Sequence, residues 1–174
     1  LSSEEINGHF AVQRTRFDTF GSLPPIRDAQ GTVEMRGRDV DIRLASGTAF
    51  LASGRTVAAT NGLLTFRNTA QPPVVGRLDL DISGEAAAVA GLASLPPLNG
   101  PQRAGLSADD LTGTVSGHIS SDVPLVKDVD PKTIDWKADL AFDGLSVARP
   151  FGDQTLSGAE GTLALLPDRA TIAA

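Results

Sequence analysis

The sequence predicts an all-β fold, a mainly antiparallel meander, with a single short α-helix. Three observations carry this. Polar and apolar residues alternate strictly in Arg77-Leu78-Asp79-Leu80-Asp81-Ile82, which sets Leu78, Leu80 and Ile82 on one strand face. Turn-forming residues recur at intervals of roughly eight to fifteen residues, the spacing of short strands in a meander. Only one stretch, from about 85 to 95, has helical composition: its alanines lose no side-chain entropy in a helix, and Pro96-Pro97 stops it.

Taken in order, the chain opens with a strand around His9–Arg16, where Phe10, Val12, Phe17 and Phe20 read as core. Leu23-Pro24-Pro25-Ile26-Arg27-Asp28 reads as a connector into a strand at Gly31–Arg36. Val33 and Met35 share a face, but after Gly37 the apolar positions become Val40, Ile42 and Leu44. That switch from odd to even is the mark of a tight turn or a bulge at Gly37. Ala45-Ser46-Gly47 and Ser53-Gly54-Arg55 read as turns. Asn61-Gly62 reads as a hairpin, since both residues tolerate positive φ, with Leu63–Arg67 as the returning strand.

Beyond the helix, Asn99-Gly100-Pro101 reads as a loop. Leu111, Gly113, Val115, Gly117 and Ile119 mark one side of a long strand, whose glycines weaken it locally and suggest close backbone approach or a bulge. Val123-Pro124-Leu125 and Val129-Asp130-Pro131 form a second connector. Ile134, Trp136, Ala138, Leu140 and Phe142 then give the most regular apolar face in the chain. Gly144 reads as a turn, Pro150 as a break, and Ser157–Gly161 as a closing hairpin that carries Leu156, Leu163 and Leu165.

At 174 residues the chain fits one domain, or one segment of a larger protein. Its net charge of −6 argues against general attraction to phosphate backbones or anionic lipid head groups. With no cysteine, disulfides and thiolate metal sites are excluded. The longest apolar run, Ala86 to Ala90, is far short of the ~20 residues of a membrane span. The leading leucine suggests a start inside a longer polypeptide, whose missing N-terminal part is where an anchor would sit.

The search for reactive constellations comes back empty. His9 and His118 are the only histidines, with no partner at ligand spacing. Asp79-Leu80-Asp81-Ile82-Ser83-Gly84 imitates a calcium loop, but Ala90 stands where the bidentate glutamate belongs. Asp128 and Asp130 fail sooner, since Lys132 and Thr133 follow. Gly113-Thr114-Val115-Ser116-Gly117 places its serine one position too late for a nucleophile elbow. Trp136 sits in a regular apolar face and reads as core rather than as a stacking platform. The expectation is no enzyme, metal, cofactor or nucleic-acid partner.

A succession of motifs resembles the AsmA-like superfamily, in particular its YhdP-like branch of bacterial envelope proteins. They are Pro73-Val74-Val75-Gly76-Arg77-Leu78, the alanine helix ending in Leu95-Pro96-Pro97-Leu98, Leu111-Thr112-Gly113-Thr114-Val115, Val123-Pro124-Leu125, Trp136-Lys137-Ala138-Asp139-Leu140 and Leu156-Ser157-Gly158. The resemblance implies a segment of a periplasmic protein anchored in the inner membrane by an N-terminal helix. It implies a long, twisted, curved sheet forming an open U-shaped groove, along which phospholipids pass toward the outer membrane. Leu78, Leu80, Ile82, Val115, Ile119, Trp136, Leu140 and Phe142 would line that groove against phospholipid acyl chains. The alternating pattern also fits a non-catalytic structural β-sandwich module whose faces bury each other.

Overall fold

A computed structural model describes residues 6–19, 21–96, 98, 107–126, 130, 133–151, 154–167 and 169–173. The strands are β1 (Asn7–Phe17), β2 (Ile26–Arg36), β3 (Asp39–Phe50), β4 (Thr56–Phe66), β5 (Val75–Glu85), β6 (Leu111–Pro124), β7 (Trp136–Phe151), β8 (Gln154–Leu165) and β9 (Ala170–Ala173). They form one nine-stranded antiparallel sheet in the order of the sequence, and α1 (Ala86–Ala93) lies between β5 and β6. The all-β meander with one short helix is therefore the observed architecture. The Asn99-Gly100-Pro101 loop lies outside the described residues, as does most of the connector around Val129.

The sheet is open rather than folded into a sandwich. Its accessible surface is 10537 Å². A compact protein of this 18.0 kDa mass would expose about 8,000 Å². The excess is what a single curved layer leaves in solvent.

Directly opposed residues of antiparallel neighbours point to the same face, so the register reads out the two surfaces. One row runs Phe10, Val33, Ile42, Leu64, Leu78, Ser121 and Trp136 from β1 to β7. Another runs Ala59, Ile82, Gly117, Leu140, Leu163 and Ile172 from β4 to β9. The opposite surface carries Thr60, Asp81, His118, Asp139, Ala164 and Thr171 in one row.

Alanines report the curvature, because a methyl group shields itself poorly. Ala59 and Ala138, on the apolar face, are only 3% and 5% exposed, whereas Ala58 and Ala141 on the other face are open to solvent. Ala29, Leu44 and Leu80 pack with Ala59, and the cluster that includes α1 covers Ala138.

Several expected turns are bulges inside continuous strands. Asn61-Gly62 is no hairpin: Thr60 pairs with Asp81 and Leu63 with Asp79, so both residues face Leu80 alone, with Asn61 at φ 50. Ala45-Ser46-Gly47 lies within β3, opposite a register shift in β2 where Asp28 has φ 53. Gly144 sits inside β7 and Gly158 inside β8, each at a register shift and at positive φ. Pro150 does not break β7, and the closing hairpin joins β8 to β9 beyond Leu165 rather than bending at Ser157–Gly161. Ile26-Arg27-Asp28, expected in the first connector, already belongs to β2, and Val123-Pro124 still belongs to β6. A bulge and a turn both ask for residues that accept positive φ, so the same residue types serve either. Bulges bend a strand and raise its twist, which suits a curved open sheet. Gly37, at φ 60, does form the tight β2–β3 turn, and Gly54 the β3–β4 turn.

Candidate hydrophobic groove

The eight residues singled out from the sequence all project from the apolar face. Leu78 shares a row with Trp136, Leu80 with Ile119, Ile82 with Leu140, and Val115 with Phe142. Glycines between them let larger neighbours lean inward. The Phe66 ring lies over Gly76, the Leu140 side chain over Gly117, and Leu44 and Leu80 close over Gly62. These glycines are fixed by lack of space above them.

The structure also divides the eight. Ile82 and Leu140, 7% and 9% exposed, belong to a cluster with Ala49, Val57, Ala88, Val89 and Ala138, so α1 packs onto this part of the sheet. Leu80, Val115, Ile119 and Trp136 are partly buried against it. Leu78, in the row of Leu64 and Trp136, and Phe142, opposite Val115, are half-buried by their neighbours in the sheet. A second cluster, Ala29, Leu44 and Ala59 with Phe17, Ile26 and Leu80 against it, extends the apolar surface toward β1. At the outer strands the face is exposed, with Phe10 at 48% and Ile172 at 69%.

Residue-by-residue reading missed Leu44, Leu163 and Leu165 as parts of this face, although their alternation was visible in the sequence. Ser121 is the polar exception in the Leu78 row, and its hydroxyl donates to the Asp135 carbonyl at 2.9 Å. Among the described residues no buried side-chain nitrogen or oxygen lacks a partner. The buried polar atoms among them are thus all paired.

The charged face holds what the sequence did not reveal. His118 Nδ1 lies 2.8 Å from Asp81 Oδ1, and Nε2 lies 3.4 Å from Asp79 Oδ1. Asn61 Nδ2 donates to Asp81 Oδ2 at 3.0 Å. The hydrogen bond to Asp81 raises the His118 pKa above its ordinary 6.5, and the same bond holds Asp81 below 3.8. Asp139, opposite His118 in β7, is paired with Lys137 at 2.6 Å. The aspartates that imitated a calcium loop are cross-strand partners of a histidine. Among the described residues no group of three or more histidine, cysteine or acidic side chains is arranged to hold a metal ion.

Arg67 Nη1 lies 2.6 Å from Asp41 Oδ1, and Asp41 is buried. Two shallow depressions of about 270 and 500 Å³ open on the charged face over β5–β9, where Ser83, Ser116, Ala141 and Thr162 leave low ground. Among the described residues, no helix is long and apolar enough to cross a membrane. Comparison with known proteins finds no matching family model, no matching curated protein and no matching solved structure.

Proposed function

We propose that this chain is a non-enzymatic segment of a periplasmic lipid conduit, and that its apolar face holds phospholipid acyl chains in passage between the inner and outer membranes. The observation that carries the reading is the open sheet with one face apolar from β1 to β9. Exposed hydrocarbon demands a cover, and each methylene of a lipid tail moved out of water onto such a face contributes roughly 0.8 kcal/mol. Nothing reactive is required, only continuity of the lining. The resemblance to the AsmA-like superfamily supports the same reading, with anchoring in the inner membrane by a helix outside this chain. Of the eight residues expected to line the groove, Leu78, Leu80, Ile119 and Trp136 are the proposed lipid contacts, next to Ile82 and Leu140, which the cluster with α1 covers.

Mass spectrometry of the protein purified under mild conditions from bacterial membrane extract tests the proposal. Phospholipid is expected to travel with the wild type and to fall at least tenfold in Leu78→Asp, which sets a charge on the half-covered part of the face. Lipid-free wild type, or undiminished lipid in a folded Leu78→Asp protein, would overturn it. What remained would be a structural module.

A further inference from the structure

We infer that α1 is a fixed stop in the groove, which confines acyl chains to the part of the apolar face beyond it, with Val89 and Leu92 marking the boundary. This rests on the lipid-groove reading above and goes on to say where along the strands the lipid sits.

An isolated eight-residue helix is not stable in water, so α1 exists because it is packed. Five successive residues, Ala86 to Ala90, are buried. At about 3.6 residues per turn they go all the way round the helix, so α1 is covered on its outer side as well as against the sheet. Among the described residues, the outer cover comes from three pieces of chain. A 3-10 turn at Ala108–Asp110 packs on α1. The β3–β4 turn reaches it through Leu51, which lies so close to Gly91 that a Cβ there would come within 2.9 Å of it. The β1–β2 connection is tied to the end of the helical segment by the Ser22 amide donating to the Pro96 carbonyl at 3.3 Å. Arg55 joins the first two, its Nη1 lying 2.7 Å from Asp109 Oδ1.

Beneath the helix the sheet is dry: Ala88 and Val89 share a buried cluster with Val57, Ile82 and Leu140. A hydrocarbon chain has no room there unless α1 leaves. The helix contacts β4, β5 and β6, and its length of about 12 Å is close to the span of three strands, so it lies across them. Its width of about 10 Å shades roughly three residues of each strand. On β5 that leaves Leu80, Leu78 and Gly76 beyond the stop, a strip of about 14 Å along the strand.

The test uses vesicles of phosphatidylethanolamine and phosphatidylglycerol doped with a phospholipid bearing a diazirine on its acyl chain. After photolysis, adducts are mapped residue by residue by mass spectrometry. Adducts on Leu64, Leu78, Ile119 and Trp136 are expected to exceed those on Val57 and Val115 at least tenfold. The double variant Val89→Ala/Leu92→Ala, checked for an intact sheet by circular dichroism, is expected to bring Val57 and Val115 to within threefold of the strip. Adducts spread evenly over both groups in the wild type would overturn the stop and leave the lipid reading standing. So would labelling of a folded double variant that stays confined to the strip. No adducts on either group would sink both.

Discussion

Gly113 gives a sharp test of the bulged sheet. It sits at φ +108, outside the regions open to L-residues, and a Cβ built there would lie 2.6 Å from the Gly144 carbonyl oxygen and 2.9 Å from that of Asp143. Gly158 separates the two effects, because it has φ +67 but nothing within 4 Å of its Cβ position. Gly158→Ala therefore meets only the left-handed backbone cost, about 1 kcal/mol. Gly113→Ala meets a backbone cost of about 1–2 kcal/mol and must also push β7 away by roughly half an ångström or more, weakening a ladder hydrogen bond of about 1 kcal/mol. The sum is about 2–3 kcal/mol. At about 2–4 °C per kcal/mol for a chain of this size, Tm should fall by about 4–12 °C in Gly113→Ala and about 2–4 °C in Gly158→Ala. Trp136, the only tryptophan, lies in β7 and reports urea unfolding directly. Asparagine should relieve the cost at 158, where left-handed geometry suffices, and not at 113. Equal losses for the two alanine variants, within 0.5 kcal/mol, would refute the close approach of β6 and β7 at this point.

Three further substitutions probe the core and the charged face. Leu140→Ala, in the cluster under α1, should cost about 2–4 kcal/mol in urea unfolding with an unchanged denaturant slope. Arg67→Gln leaves the buried Asp41 carboxylate without its 2.6 Å partner and should cost about 1–2 kcal/mol; a double-mutant cycle with Asp41→Asn should recover most of it as coupling. For His118→Gln the signature is in pH: the His118 contribution is full below 6.5 and fades as pH rises through its raised pKa, while that of Asp81 is present above 3.8 and is lost as pH falls through its lowered pKa. The Tm gap between wild type and His118→Gln should therefore be widest between pH 4 and 6.5 and shrink toward pH 9.

Strand identity was legible wherever alternation was unbroken. Leu78 to Ile82 and Trp136 to Phe142 declared their apolar face at once, because a period of two has no other common origin. Among the bulges, only the one at Gly113 was legible, from the glycines of its strand. Asn61-Gly62, Gly144 and Gly158 carry the chemistry of a turn, and only the cross-strand register shows that the chain runs straight on. Alternation says which way Ile82 and Val115 face, but it cannot say that α1 folds back onto that part of the sheet. The His118 pairing was hidden for a related reason. Thirty-seven residues separate it from Asp81, and they meet only because β5 and β6 are neighbours with Asp81 opposite His118.

Every strand bonds only to the strands next to it in sequence, apart from the two at the margins, which have one neighbour each. Such a fabric grows like knitting. A further hairpin added at either margin would lengthen it without rerouting a single existing connection, and its stability would come as a run of nearest-neighbour increments. Span is then a matter of hairpin count, and the duplication of a short stretch of coding sequence is enough to change it.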